Sequence, residues 1–156
     1  MPTRRIRVMI PGTYAEVSRI RQILPLAAAD LAFTRSTLVR LEICLTEALT
    51  NVIRHGYRDR EDGEIEVDFL AFPDRLVMEI ADRGTPMPLT ASASLRARDP
   101  ETESRSDDLT ALKEGGYGIP ILRAILDEID YRRLGDRNVL TMTKLAVFSS
   151  TDPAVR

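Results

Sequence analysis

The sequence predicts an α+β domain: a two-layer α/β sandwich whose mixed, mostly antiparallel sheet carries helices on one face. Three observations predict it. Short segments alternate polar and apolar residues, the period of half-buried strands, at the start of the chain, in its middle and near its end. Other segments place apolar residues three and four apart, the period of helices that bury one side. The resulting order is β, α, α, β, β, long loop, α, β, β, which segregates helices and sheet into two layers.

Residues 4 to 10 alternate as a strand, and Pro11-Gly12 ends it. Thr13 is a candidate cap for a helix over 14 to 31, with Val17, Ile20, Ile23 and Leu24 on one side. Pro25 inside that pattern predicts a kink or a break. The next helix is the clearest element. Thr34 or Ser36 caps it, Gly56 stops it after His55, and Leu38, Leu41, Leu45, Ala48 and Val52 form its core stripe. A polar loop over 57 to 63 leads into a strand in which Ile65, Val67, Phe69 and Ala71 alternate with acids. A tight connection at Phe72-Pro73-Asp74 leads to a second strand, Leu76 to Ala81. From Arg83 to Glu114 the periodicity dissolves, apart from a short helical turn at Leu109 to Leu112. A patternless stretch of that length in a small domain is either a functional lid or disordered. Gly115 to Gly118 opens a third helix, running to 128, with Ile119, Leu122, Ile125 and Leu126 buried. Strands over 129 to 134 and 139 to 148 close the fold around a turn at Gly135 to Asn138.

The totals set bounds. The 156 residues suit one domain, expected over 1 to 148, followed by a flexible tail over 149 to 156. The composition is 44% hydrophobic and 29% charged with a net charge of -2, which gives no reason to expect direct nucleic-acid binding. No apolar stretch is long enough to span a bilayer and no signal peptide is read at the N-terminus, so no membrane association and a cytoplasmic location are expected. Cys44 is the only cysteine and His55 the only histidine. A disulfide within the chain, a cysteine- or histidine-rich zinc site and a Ser-His-Asp triad are therefore all disfavoured. Cys44 reads as a small buried hydrophobe, and His55 as a packing or loop-anchoring residue at a helix end. Arg54 and Arg123 are candidate phosphate or partner contacts, against the commoner role of solvated surface charge.

Three short motifs carry chemistry. Glu47 and Asn51 lie four apart on the strong helix, so their side chains point the same way at the edge of the core. An amide oxygen suits Mg²⁺, and a neighbouring carboxylate can take a proton from a hydroxyl or a water. Asp82-Arg83-Gly84 follows a strand end. It is either a simple turn or a carboxylate placed to accept from an exocyclic amine such as that of adenine, with Gly84 letting a flat ring approach. Gly115, Gly116 and Gly118 precede a helix and expose backbone N–H groups suited to phosphate; the alternative is a flexible hinge. Neither a Walker A loop nor the dinucleotide fingerprint is present.

Taken in order, these motifs resemble the N, G1 and G2 boxes of the GHKL (Bergerat-fold) ATPase superfamily. They are Glu47-Ala48-Leu49-Thr50-Asn51 with Ile53-Arg54-His55-Gly56-Tyr57, then Asp82-Arg83-Gly84-Thr85-Pro86, then Gly115-Gly116-Tyr117-Gly118-Ile119. The short form is similar to the bacterial anti-sigma factor serine/threonine kinases. The resemblance implies ATP and Mg²⁺ as cofactors, Glu47 as the general base that activates an acceptor serine or as the residue that polarises a water, and Asn51 as metal ligand. It implies that Asp82, with Gly84, binds adenine, that Gly115, Gly116 and Gly118 bind phosphates, and that Thr143 assists adenine binding through a water. Residues 85 to 114 would be the ATP lid, and Met87-Pro88 departs from the aromatic residue often found there. The implied partners are an anti-anti-sigma type protein as substrate and a sigma factor, with a homodimer as the assembly. Two other readings share the same site: a partner-sequestering ATP binder without kinase chemistry, and a switch-type homologue that activates a phosphatase. The detached catalytic domain of a sensor histidine kinase fits less well, because no helix pair with an acceptor histidine is present.

Overall fold

The structure is a computed structural model that describes residues 1–96 and 117–146. Five strands form one sheet in the order β1-β2-β3-β5-β4. They are β1 (Arg4–Pro11), β2 (Glu64–Ala71), β3 (Arg75–Asp82), β4 (Glu128–Leu134) and β5 (Arg137–Leu145). All four neighbouring pairs are antiparallel, so among the described residues the sheet is not mixed. Direct cross-strand partners share a face. Ile10, Ile65, Val67, Phe69, Leu76, Met78, Ile80, Leu140 and Met142 thus line one face and are buried.

Helices α1 (Tyr14–Ala27), α2 (Arg35–Asn51) and α4 (Ile119–Ile125) join that face in a single core, to which Ile20, Leu24, Leu41, Leu45, Leu49 and Leu122 contribute at full burial. Each such side chain contributes roughly 1.5–3 kcal/mol on leaving water. The opposite face is charged. Asp68 on β2, 2% exposed, is held by both Arg5 and Arg7 of β1. Arg137 of β5 donates to Glu66 at 2.8 Å.

Several boundaries differ from the sequence expectation. Helix α1 stops at Ala27, four residues short of 31, with Pro25 inside its last turn. Thr13 sits at its N-cap without a side-chain bond, whereas Thr34 caps α2 by accepting from the N–H of Thr37 at 3.1 Å. Helix α2 ends at Asn51 and is followed by a π-helical turn, Val52–Gly56, not by α-helix to His55. The N–H of Tyr57 closes that turn on the carbonyl of Val52 at 2.8 Å. A helix α3, Leu89–Arg96, stands where no pattern was read; its Leu95 is buried in the core. Helix α4 ends at Ile125, not 128, and Lys144 donates to the carbonyl of Ile125 at 2.9 Å. The β4–β5 turn contracts to Gly135 and Asp136, with Gly135 at φ 64°, so β5 begins at Arg137 and includes Asn138. The helical turn at Leu109 to Leu112, the middle of the lid over 85 to 114, and the tail over 149 to 156 lie outside the described residues.

Candidate functional site

A cleft opens between the end of α2, the π-helical turn and the inner face of β3 and β5. Ala48, Val52, Met87 and Leu140 give it apolar walls, and Asn51, His55, Asp82, Tyr117 and Tyr131 give it polar groups. Glu47 stands one helical turn before Asn51 on the same helix face, the geometry that a four-residue spacing imposes.

At the sheet end of the cleft, Asp82 is the last residue of β3 and is 8% exposed. Its Oδ1 accepts from the N–H of Gly84 at 2.8 Å and from Nδ2 of Asn138 at 2.9 Å. Burial pushes its carboxyl above the ordinary aspartate value; the two N–H donors and the charge of Arg133 pull the other way. Gly84 packs on Gly56. A Cβ on Gly84 would lie 2.5 Å from the Gly56 carbonyl carbon, and Thr85 donates to the Gly56 carbonyl at 2.8 Å. The close approach seen at Gly84 is to the Gly56 backbone.

At the helix end, the carboxylate of Glu47 lies against Gly118. A Cβ there would meet Glu47 Oε2 at 2.6 Å, and Gly118 adopts φ 61°, a left-handed conformation that glycine takes without penalty. Gly118 is the N-cap of α4. Asn51 donates from Nδ2 to the carbonyl of Tyr117 at 2.6 Å, and the Tyr117 ring stacks on His55 with centroids 4.3 Å apart. A third tie lies where the chain leaves the sheet: the N–H of Met87 donates to the hydroxyl of Tyr131 at 2.8 Å. Burial raises the Tyr131 hydroxyl above its ordinary pKa, so it is neutral at physiological pH.

Residues 10–144 match the family described as the histidine kinase-like ATPase domain. The chain belongs to this family. Among its relatives, serine-protein kinase RsbW of Bacillus velezensis is 32% identical over 124 residues, covering 80% of this chain and 75% of that protein. RsbW of Bacillus subtilis is 30% identical over the same shares. RsbW of Listeria monocytogenes is 27% identical over 125 residues, 80% of this chain and 77% of its own. Among solved structures, one of a Mycobacterium tuberculosis protein carrying RsbU and RsbW domains superposes at TM-score 0.61. It is 18% identical and covers 96% of this chain and 34% of that one, a likeness of fold.

Asn51 and Asp82 line this cleft, Gly84 packs on Gly56 of its wall, and Glu47 meets Gly118 next to Tyr117; Gly115 and Gly116 lie outside the described residues. Thr143 does not join them. Alternation along β5 sends Asn138, Leu140 and Met142 to the helix side, so Thr143 sits on the opposite face, across from Val77 of β3 and Glu128 of β4. The β5 residue beside Asp82 is Asn138, which the sequence reading had assigned to a turn. Tyr131 and the packing role of Gly56 were missed as well. Only the two-residue period of β5, extended back past Val139, could have signalled Asn138. Cys44 is fully buried in the core and its thiol is pushed up to about 12, which makes it an inert packing residue.

Proposed function

We propose that this protein is an ATP-dependent serine/threonine protein kinase acting as an anti-sigma regulatory factor, with an anti-anti-sigma type protein as its phosphate acceptor. The observation that carries the reading is the contact of the Glu47 carboxylate with Gly118, one helical turn from Asn51. It sets a proton acceptor beside the glycine end of the lid, where a γ-phosphate and an acceptor hydroxyl would meet. In this reading Glu47 takes the proton of the acceptor serine as its Oγ bonds to the γ-phosphorus. The bond from that phosphorus to the bridging oxygen breaks, and ADP leaves. Such a transfer depends on positioning and charge neutralisation more than on covalent chemistry.

The remaining residues bind. With Nδ2 of Asn51 engaged by Tyr117, its Oδ1 is the atom that would ligate Mg²⁺, a cation that takes most of its other ligands from phosphates and waters. The backbone N–H groups of Gly115, Gly116 and Gly118 would hold phosphates. Asp82 offers Oδ2 to the adenine amine, because among the described residues both of its hydrogen bonds end on Oδ1. Apolar walls from Val52, Met87 and Leu140 suit a purine ring. Thr143 has no part in this reading, given its place on the far face.

The protein partners in this reading are the anti-anti-sigma type substrate and a sigma factor held inactive, with a homodimer as the assembly and the cytoplasm as the compartment. Among the described residues no helix is long and apolar enough to cross a membrane. The test is capture of partners from the native host in the presence of Mg-ADP, followed by incubation of each with Mg-ATP. Phosphate on a serine or threonine of a captured protein supports the reading. Capture without any transfer, equal for wild type and Glu47→Ala, refutes kinase chemistry and leaves a sequestering module.

A further inference from the structure

We propose that Asn138, locked in one orientation by Arg133, is the positioning residue that makes Asp82 a reader of 6-amino purines. The proposal rests on the reading of the cleft as an ATP site. Asn138 lies directly across from Asp82 on β3 and from Arg133 on β4, so the three share the inner face of the sheet. Asn138 is 1% exposed, and its amide is fully used. Nδ2 donates to Asp82 Oδ1 at 2.9 Å and to the carbonyl of Gly84 at 3.0 Å, while Oδ1 accepts from Arg133 at 2.7 Å.

The orientation follows from charge. Turning the amide over would set its oxygen against a carboxylate and a carbonyl, and its N–H groups against a guanidinium. All three contacts would then become repulsive. Arg133 therefore fixes which end of Asn138 faces Asp82. Asn138 and Gly84 both donate to Oδ1 of Asp82, so among the described residues Oδ2 is the acceptor turned to a ligand. Asn138 has no donor left to offer a ligand. A purine that presents an N–H₂ at position 6 is accepted there, and one that presents nothing leaves a buried anion unpaired.

The same donors oppose the effect of burial on the Asp82 carboxyl. Burial pushes its carboxyl up, and the Asn138 and Gly84 donors, then Arg133, pull it down. The other titratable groups around it are Tyr57 and Tyr131, both raised by burial and neutral, with His55 in the cleft wall and Arg83 next in the chain. Because the folded pKa is raised, the charged form is lost as pH falls, and earlier than for a solvated aspartate. Removing Asn138 or Arg133 raises that pKa further, so loss of ATP binding on acidification moves to higher pH.

The experiment measures binding of Mg-ATP and of the Mg complex of purine riboside triphosphate, which lacks the 6-amino group, across a pH series. Wild type, Asn138→Leu, Arg133→Met and Asp82→Asn are compared. Wild type should prefer ATP by about tenfold to hundredfold, the worth of one hydrogen bond to a charged group. Asn138→Leu should bring the ratio close to one by weakening ATP alone, and should move the acid limb for ATP to higher pH. Arg133→Met, an exposed change on β4 that spares the buried amide, should do the same by a smaller factor. If Asn138 only supports the fold, both nucleotides weaken together and neither ratio nor acid limb moves, which overturns the inference and leaves the ATP site standing. A wild type that does not discriminate, or an Asp82→Asn variant that discriminates as wild type does, overturns the reading of Asp82 and the inference with it.

Discussion

At the Asp82 end of the cleft the polar contacts run between neighbouring strands, within a tight turn, and from Thr85 to the Gly56 carbonyl, beside a glycine-on-glycine contact. At the Glu47 end they run from α2 to Tyr117 and Gly118; the Asn51–Tyr117 bond joins residues 66 apart. The first end is organised by sheet hydrogen bonding, which holds Asp82 whether or not a ligand is near. The second is assembled by Tyr117 and Gly118 at the entry to α4, so its geometry depends on where that segment sits. The difference sets a division of labour: substitutions at the sheet end should register in affinity and stability, and substitution of Glu47 at the helix end in turnover.

The sharpest test of that division is Glu47→Ala. As the general base proposed above, Glu47 should on removal lower kcat by about 10²–10⁴-fold, and the variant should keep wild-type affinity for Mg-ATP in a direct binding measurement. A parallel loss of affinity would break the comparison, because it would make Glu47 part of the binding surface. Gly84→Ala should come next. Its Cβ would meet Gly56 backbone, which cannot swing aside as a side chain can, so thermal or denaturant unfolding should register a loss of about 3 kcal/mol. If Gly84→Ala keeps wild-type stability, the seal between the G1 turn and the π-helical turn is not what holds that end.

Gly118→Ala probes the helix end with a smaller expected effect. A non-glycine residue at φ 61° costs about 1–2 kcal/mol, and the new methyl would push on the Glu47 carboxylate. Turnover should therefore fall further than nucleotide affinity does, as steady-state kinetics beside a binding isotherm would reveal. Thr143→Val should be nearly silent. Its side chain lies on the face away from the cleft, so the dissociation constant for Mg-ATP should match wild type. A clear weakening would restore Thr143 to the nucleotide site and require another explanation for its position on β5.

Legibility followed the range of each interaction. The strands and the core stripe of α2 were readable because burial on one side writes a period into the sequence. The Thr34 cap was readable because it is a contact over three residues. Where helices stop was less readable: α1 carries Pro25 and ends two residues later, and α2 passes into a π-helical turn because Tyr57 bonds back to Val52. Helix α3 is only 8 residues long, too short to write a clear period, and is tied to the core through Leu95, a tertiary contact.

The sequence by itself determined the fold class, the order of elements, and which residues could do chemistry: two acids, one amide and a set of glycines at spacings that fit a nucleotide. Those properties are local, because a helix sets Glu47 and Asn51 on one side whatever surrounds it. Only the tertiary structure decided which polar residue stands beside Asp82, that Gly84 is needed for Gly56, and that Glu47 lies against Gly118. Strand register decides the first, since a shift of one residue moves a side chain to the other face of the sheet. It sets Asn138 beside the carboxylate and Thr143 on the far side. The other two are contacts between segments 28 and more residues apart, where packing, and no pattern along the chain, sets the distance.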